Sequence, residues 1–268
     1  MSSPTKSLRW LEERDPDRPF FLMCHHKAPH RPWDPKPEHW SLYTDPIPRP
    51  ETFDDDYTDR AAAREARMRI VRDMTHEDLD LVQLPEAPGE RQGNAGKKKV
   101  PHPADTEGFT LRCVNTGEVF TFDSPEELAN FKYQRYLRKY LQCVHSVDEN
   151  VGRILDWLDA NGLAGNTLVI YTSDQGFYLG EHGWFDKRFI YWYNDDLGEK
   201  GARPGGAPPE WELFDLGKDP NELRNVYHDT EYAEVVSEMT VKLDAKMAGI
   251  GDAPMHLDRR KWRSLDQR

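Results

Sequence analysis

The sequence predicts an α/β fold: a mostly parallel sheet flanked by helices, then a small C-terminal antiparallel sheet and a helix. Residues 127–161 carry apolar side chains at helical spacing and end at Asn161-Gly162, a typical helix stop. A short connection leads to the apolar run 167–172, and helix, tight turn and buried strand in this order are typical of a parallel sheet. A second amphipathic pattern, over residues 230–247, predicts the C-terminal helix.

The N-terminal part predicts a helix, a buried strand and a stiff loop. Residues 5–13 place Leu8 and Leu11 on one side of a short helix,. The compact apolar run 19–24 suits a buried strand,. Residues 25–40 are rich in proline, which excludes regular structure and favours an extended loop.

The middle of the chain differs in composition from both flanks. Residues 54–74 could form a charged surface helix, and residues 85–108 contain few apolar side chains, as in a flexible linker,. Near the C-terminus, residues 211–216 predict a short strand and residues 217–222 a turn,. The expected organisation is a core segment (1–50), a charged and partly disordered insert (51–126), a second core segment (127–191), a C-terminal subdomain (192–250) and a flexible tail (251–268).

Composition excludes several classes of protein. The formal net charge is −12, so the basic surface of a nucleic-acid-binding protein is missing. No apolar run approaches the ~18 residues of a membrane span, and the first ten residues lack the apolar core of an export signal; the compartment stays unassigned. The three cysteines form neither a disulfide framework nor a Cys-x-x-Cys zinc motif, and we interpret them as small buried or free thiols.

Polar side chains follow the predicted strand 167–172. The carboxylate of Asp174 and the amide oxygen of Gln175 form a hard-oxygen pair, which suits Ca²⁺ or Mg²⁺ better than zinc. Gly176 and Gly180 permit sharp turns, and Lys187 can meet the oxygens of an anion. The alternative is an ordinary loop in which Asp174 caps a helix, and spacing alone does not exclude it.

A second polar cluster, residues 25–31, follows the other predicted strand and includes His25, His26 and His30. In a doubly wound sheet both clusters would emerge at the same edge, where they could hold a hard cation and an oxyanion. Two alternatives stay open. The segment could be a solvated loop, or its histidines could bind zinc with an added ligand that the spacing does not specify.

Four ordered segments resemble the sulfatase family, within the alkaline-phosphatase-like superfamily. They are residues 19–35, 147–174, 171–191 and 211–227. Together the matches cover most of residues 5–39 and 133–244. The resemblance implies a partial alkaline-phosphatase-like fold and the hydrolysis of sulfate esters, with a sulfated small molecule or sulfated glycan as substrate.

The resemblance also implies roles for individual residues. Asp174 and Gln175 match the late pair of calcium ligands. Lys187 matches the lysine that holds the sulfate near the leaving oxygen, and His30 matches the histidine that hydrogen-bonds the sulfate ester. His182 lies within the matched stretch, and we interpret it as structural rather than catalytic. The implied cofactor is Ca²⁺, beside a formylglycine nucleophile made from Cys or Ser.

The chain departs from the family pattern at the nucleophile. The family's nucleophile motif consists of Cys or Ser, any residue, Pro or Ala, any residue, and Arg. None of Cys24, Cys113 and Cys143 begins such a motif. The early pair of aspartate ligands is also missing, since Asp54-Asp55-Asp56 lies at the wrong place in the sequence and between the wrong neighbouring segments. Two calcium ligands fall far short of the 6–8 oxygens that Ca²⁺ prefers.

The order of the matched segments is interrupted as well. After Tyr191 the sequence continues with what resembles a much later part of the family, and residues 80–123 look unlike it. We therefore expect a chain truncated at its N-terminus, with an internal deletion, that is inactive alone. The alternatives are a non-catalytic remnant or interaction protein, and a phosphodiesterase or phosphonate monoester hydrolase of the same superfamily.

Overall fold

The structure, a computed structural model, describes residues 3–60, 63–64, 66–84, 108–187 and 211–251. Three stretches lie outside the described residues: 85–107 of the predicted linker 85–108, 188–210 around and after Tyr191, and 252–268 of the predicted tail 251–268. The chain divides into a first unit, residues 1–48 with 73–176, and a second unit, residues 49–72 with 177–268. The helices are α1 (Ser3–Glu13), α2 (Pro125–Ala160) and α3 (Ala233–Gly249). The strands are β1 (Leu81–Leu84), β2 (Phe109–Cys113), β3 (Val119–Phe122), β4 (Tyr178–Leu179) and β5 (Phe185–Asp186).

The long helix α2 organises the first unit and confirms the strongest helix prediction. The Ser124 side chain caps its first turn by accepting a hydrogen bond from the Glu127 N–H,. Gly162, at φ +66°, ends it, and the Leu163 N–H bonds back to the Leu158 carbonyl at 2.9 Å,. The predicted N-terminal helix is also confirmed, since α1 contacts α2 and buries Leu11.

Residues 40–48 run along α2 and are held by side chains spaced four residues apart on the helix. Gln134 bonds both backbone groups of Ile47, at 2.8 and 2.9 Å. Arg138 donates to the carbonyls of Tyr43 and Thr44. Gln142 donates to the carbonyls of Trp40 and Leu42. The irregular and largely exposed segment therefore has several of its backbone groups satisfied by one helix face,.

A three-stranded antiparallel sheet, in the order β1-β2-β3, completes the first unit. Residues on β2 alternate between buried and half-buried, with Leu111 fully buried. Phe120 on β3 packs its ring 4.6 Å from that of Phe131 on α2. This sheet lies within the stretch predicted to be an insert, and the sequence analysis missed it.

The mostly parallel sheet is not formed by the described residues, in which both sheets are antiparallel. Residues 19–24 and 167–172, predicted as its buried strands, belong to neither sheet. Several of their apolar side chains are exposed instead: Phe21 is 84% exposed and Leu168 87% exposed. A strand needs a hydrogen-bonded neighbour and a covered face, and these two segments have neither among the described residues. The α/β class itself is confirmed.

The second unit is built around residues 49–72 and the β4–β5 hairpin. The Ile70 N–H donates to the Gly183 carbonyl at 2.9 Å. Tyr57 stacks on Trp184 with the ring centroids 5.7 Å apart, beside the buried Ala66. The charged surface helix predicted at 54–74 is therefore wrong for most of its described residues, which form turns and irregular backbone, with helical geometry at Ala63 and Arg64. The segment supplies core side chains to the hairpin rather than a solvated face.

The predicted C-terminal helix is confirmed by α3, which a single 3₁₀ turn, Thr230–Tyr232, precedes. The strand predicted at residues 211–216 does not form, although the Val226 N–H donates to the Leu213 carbonyl. Along α3, Met239 is 49% exposed and Val241 is 67% exposed. The apolar stripe of this helix is thus only partly covered by described residues.

Candidate functional site

His30 lies on a loop that α2 anchors. The His30 N–H closes a turn onto the Lys27 carbonyl at 2.9 Å. Trp33, fully buried, packs its ring 4.7 Å from that of Tyr136 on α2 and donates its indole N–H to the Pro29 carbonyl. The exposed His30 ring therefore projects from a fixed loop.

A hydrogen bond to the chain's own backbone fixes the protonation pattern of His30. Its Nδ1 lies 2.6 Å from the Arg31 carbonyl oxygen, which can only accept, so Nδ1 carries the proton. The Nε2 atom is then a lone-pair acceptor in the neutral ring and a donor in the charged ring. His30 can donate to an anion through Nε2 only as an imidazolium.

Asp174 and Gln175 lie on an exposed turn at the end of the extended segment 167–172. The Gln175 amide nitrogen donates to Asp174 Oδ2 at 3.1 Å. Ser173 braces the turn, because its hydroxyl donates to the Gln175 carbonyl at 2.9 Å. The structure thus brings the two predicted metal ligands together, with Asp174 Oδ1 and the Gln175 amide oxygen on the exposed turn.

The donor chemistry of this turn fits Ca²⁺, but the number of donors is small. Carboxylate and amide oxygens are ligands that Ca²⁺ accepts, and a full site supplies 6–8 oxygens. In the part of the chain that the structure describes, Asp174 belongs to no group of three or more His, Cys, Asp and Glu ligand atoms. Asp174 and Gln175 would therefore be a minority of the ligands of such an ion.

Lys187 belongs to the second unit, directly after strand β5. Its backbone N–H donates to Asp186 Oδ1 at 2.8 Å, and Asp186 itself is buried. The Lys187 side chain is half-buried. The hairpin thus fixes the backbone of Lys187 and leaves part of its side chain exposed.

His182 lies in a buried network of charged groups in the second unit, which supports its interpretation as a structural residue. Its Nδ1 lies 2.7 Å from Asp55 Oδ2, and Asp55 also receives two hydrogen bonds from Arg60, at 2.6 and 2.9 Å. The Asp55 side chain is 2% exposed. The Tyr57 hydroxyl donates to the His182 carbonyl. Residues 54–56 therefore supply a structural anchor through Asp55.

The electrostatics of Asp55 follow from this network. Burial alone raises the pKa of the carboxyl, but hydrogen bonds from Arg60, the Tyr57 N–H and His182 outweigh it, so the pKa lies below its ordinary value,. Asp55 is consequently ionised in the folded protein at neutral pH.

The hairpin turn explains two of the glycines. Gly180 and Gly183 have φ values of +118° and +67°, in the region that favours glycine. A Cβ on Gly183 would lie 2.5 Å from the Phe53 carbonyl oxygen. Glycine is not required by space at position 176, because a Cβ there meets nothing within 4 Å. The glycine requirement therefore belongs to the hairpin and not to the Asp174 turn.

The buried cysteines have the character of packing residues. Burial raises the pKa of Cys143 to about 11, so its nucleophilic thiolate is scarce at neutral pH. The Cys113 thiol is buried and accepts a hydrogen bond from Arg135 at 3.0 Å. These contacts agree with the prediction of small buried thiols.

Sequence reasoning missed two arrangements. The partnership of Asp55 with His182 joins positions 127 residues apart, which no local pattern reveals. The second is a group of His39, His145 and Glu149 in the first unit. The spacing of His145 and Glu149, four residues apart in a predicted helix, was the available signal.

Comparisons with known proteins place the chain in a family. The sequence model of the sulfatase family matches residues 5–216, and that of the N-sulphoglucosamine sulphohydrolase C-terminal region matches residues 206–249. A solved structure of a protein in complex with its substrate, D-glucosamine-2-N,6-O-disulfate, superposes with a TM-score of 0.69 at 26% identity, covering 92% of this chain and 68% of that one.

Two relatives extend the comparison. The N-acetylglucosamine-6-O-sulfatase of Bacteroides thetaiotaomicron is 41% identical over 192 residues, which are 69% of this chain and 34% of that protein. The arylsulfatase of Clostridium perfringens is 25% identical over 187 residues, 69% of this chain and 28% of that protein. The chain thus spans about a third of the length of the curated relatives that it matches.

These matches define an α/β protein with a partial alkaline-phosphatase-like fold. The chain belongs to the sulfatase family, whose members are sulfuric ester hydrolases and generally use a metal ion.

Proposed function

We propose that this protein acts on sulfate esters of glucosamine-type saccharides. The observation that carries the proposal is the family match over residues 5–216, joined to 41% identity with an N-acetylglucosamine-6-O-sulfatase. The structural neighbour binds a sulfated glucosamine, and the second family match concerns N-sulphoglucosamine. These three matches support a glucosamine-type sulfate as substrate.

The residues of this chain would contribute binding groups to the reaction. Asp174 and Gln175 would supply hard oxygens to Ca²⁺, which when bound would stabilise negative charge on the sulfuryl oxygens. His30 would donate from Nε2 to a sulfate oxygen, and Lys187 would add a positive charge for the sulfate. The nucleophile motif is not among these 268 residues, so we further propose that the chain alone does not turn over substrate.

The exposed apolar segments support this second part of the proposal. Ile170 and Tyr171, directly before the Asp174 turn, are 75% and 77% exposed. Such side chains are normally covered in a folded core, so their exposure suits a chain that needs further sulfatase segments. The non-catalytic alternative shares this observation and differs in predicting no sulfate recognition.

Phosphoester chemistry is the other candidate, because one relative is a multifunctional alkaline phosphatase superfamily protein of Trinickia caryophylli, 26% identical over 179 residues. Ligand-observed NMR of the purified chain with Ca²⁺ separates the candidates. We expect D-glucosamine 6-sulfate to bind better than D-glucosamine 6-phosphate, and unsubstituted D-glucosamine not to bind. Preference for the phosphate would favour the phosphoester candidate, and equal signals from all three sugars would contradict both.

Variants of the proposed sulfate ligands complete the experiment. His30→Ala and Lys187→Met should each weaken sulfate binding by about tenfold or more, as the loss of a charge-assisted hydrogen bond predicts. His228→Ala and Lys6→Met are matched controls, because both side chains are exposed and neither is proposed to bind the ligand. Equal affinities for the unaltered chain and the two ligand variants would refute the assigned roles.

A further inference from the structure

Three side chains with metal-ligand chemistry converge in the first unit, and the sulfate-ester proposal uses none of them. His39 ends the 3₁₀ helix Pro37–His39, and His145 and Glu149 lie one turn apart on α2. One ligand atom from each lies within 4.8 Å of the other two. Two imidazoles and one carboxylate form a ligand set typical of open zinc sites.

The distances within the group suit a small ion. Glu149 Oε1 lies 3.1 Å from His39 Nε2 and 3.7 Å from His145 Nε2. Tetrahedral zinc with bonds of about 2.0–2.1 Å separates its ligand atoms by about 3.3 Å. These two distances bracket this value, and the two histidine ligand atoms lie within 4.8 Å of each other, so a modest movement of the rings would let the three atoms share one ion.

Each candidate ligand also has an outer hydrogen-bond partner. His39 Nδ1 lies 2.8 Å from Ser146 Oγ, and His145 Nδ1 lies 3.2 Å from the Tyr43 hydroxyl. Lys36 donates to Glu149 Oε2 at 3.1 Å, which leaves Oε1 facing the two rings. Outer partners of this kind orient metal ligands and fix the tautomer of a ligating histidine.

The hydrogen bonds of Ser146 bear on which nitrogen of His39 carries a proton, and therefore on what lies between His39 Nε2 and Glu149 Oε1. The Ser146 hydroxyl has one proton and lies near two acceptors, His39 Nδ1 at 2.8 Å and the Gln142 carbonyl at 3.2 Å. When the hydroxyl donates to the carbonyl, the neutral His39 ring carries its proton on Nδ1 and a lone pair on Nε2, opposite the lone pairs of Glu149 Oε1. Two acceptors 3.1 Å apart repel unless a proton or a metal ion lies between them.

The scaffold around the group is fixed on one side and open on the other. The His39 side chain is 4% exposed, and the hydrogen bonds from Gln142 to Trp40 and Leu42 hold the backbone beside it. His145 and Glu149 are 36% and 41% exposed. An ion could therefore enter from solvent and keep water in its remaining position.

We propose that His39, His145 and Glu149 bind one Zn²⁺, or a similar divalent transition-metal ion, and that the ion fastens residues 37–39 to α2. Imidazole nitrogen favours such metals over Ca²⁺, which prefers oxygen ligands. The site is thus chemically distinct from the Asp174 turn and serves to fix a loop on a helix.

Calorimetric titration of the chelator-treated chain of 268 residues with Zn²⁺ tests the proposal. We expect one equivalent to bind and the thermal transition to rise, because an ion that binds the folded state stabilises it. Glu149→Gln and His145→Ala remove partly exposed ligands and should weaken this binding by more than about 100-fold, whereas Tyr43→Phe, which removes an outer partner, should weaken it by about tenfold. Circular dichroism of each variant verifies that the helices are retained.

Two controls decide where the ion binds. His228→Ala, on the surface of the second unit, and the double variant His25→Ala/His26→Ala should leave the Zn²⁺ affinity unchanged. Co²⁺ added in place of Zn²⁺ should give the intense visible absorption of a four-coordinate site, and Glu149→Gln should lose it. Failure of the unaltered chain to bind Zn²⁺, or full affinity in Glu149→Gln with loss in the His25/His26 variant, would overturn the proposal.

Discussion

The carboxylate of Asp55 lies 2.7 Å from Nδ1 of His182, 127 residues further along the chain. His182 sits in a stretch that resembles the sulfatase signature, and its partner lies outside the four segments that carry this resemblance. The contact holds the hairpin of the second unit against residues 49–72. It gives the signature histidine a structural role that can be measured as stability.

Replacing Asp55 should destabilise the protein strongly. Asp55→Ala leaves Arg60, which is 3% exposed, without its carboxylate, and breaking a buried pair in this way costs about 3–5 kcal/mol. Urea unfolding measures the loss. The matched control is Asp54→Ala, at an exposed neighbouring position, which should change the free energy of unfolding by no more than about 0.5 kcal/mol. Equal effects of the two substitutions would refute the structural role.

Substitution at Gly183 should also destabilise the protein. In Gly183→Ala the new Cβ meets the Phe53 carbonyl oxygen in a backbone conformation that disfavours alanine, and together these cost roughly 2–4 kcal/mol. Gly176→Ala is the control, since its Cβ enters open space and should be neutral or slightly stabilising. Thermal unfolding compares the two variants, and a Gly183→Ala protein as stable as Gly176→Ala would contradict the hairpin geometry.

His76 should make stability fall in mild acid. Burial, with a smaller contribution from Lys132, lowers the pKa of His76 to about 4. Between pH 6.5 and about 4 the unfolded chain therefore binds a proton that the folded chain does not, so stability decreases as pH falls, by a total on the order of 3 kcal/mol.

Urea titrations across this pH range measure the slope. His76→Phe, whose ring can keep the contact with Phe109, should flatten it, and His228→Phe should not. An unchanged slope in His76→Phe would show that this ring is not the group responsible.

The lowered pKa of Asp55 affects stability at still lower pH. The stabilisation by Asp55 is present above pH 3.8 and is lost as pH falls through the folded-state pKa.

The chain alone should hydrolyse D-glucosamine 6-sulfate no faster than buffer does, because no residue in it matches the family's nucleophile motif. Sulfate release over many hours measures this rate. Turnover by the purified chain that disappears in Asp174→Ala would contradict the expectation. The nucleophile would then be a residue outside the family motif.

Local patterns predicted α1, α2 and α3, whereas the charged helix predicted at residues 54–74 was wrong. The apolar spacing and the Asn161-Gly162 stop located α2, since helical hydrogen bonds depend only on neighbouring residues. The strand-like runs 19–24 and 167–172 failed as strands because a strand depends on partners elsewhere in the chain. The β2–β3 hairpin had a readable signal that was overlooked. Residues 109–113, Phe-Thr-Leu-Arg-Cys, alternate between apolar and polar side chains, and Asn115-Thr116-Gly117 is a typical turn sequence,.

The candidate site residues also divide into those with partners nearby in the sequence, which could be predicted, and those with distant partners, which could not. The adjacency of Asp174 and Gln175 made their pairing predictable, and the turn that joins them is local. The partners of His182 and His39 lie more than 100 residues away, so only the folded chain reveals them. Long-range polar contacts are therefore the part of this molecule that sequence patterns could not supply.

The dependence of sulfate binding on Ca²⁺ tests the central claim, that Asp174 and Gln175 hold a metal ion that assists sulfate recognition. The affinity for D-glucosamine 6-sulfate is measured with and without Ca²⁺, in the unaltered chain and in Asp174→Asn. We predict that Ca²⁺ tightens sulfate binding to the unaltered chain, because Ca²⁺ and sulfate that share one site assist each other's binding reciprocally. We predict no effect of Ca²⁺ on the variant, because Asp174→Asn lacks the carboxylate that would bind the ion. Sulfate binding that ignores Ca²⁺ in the unaltered chain, or an identical Ca²⁺ effect in Asp174→Asn, would contradict the claim.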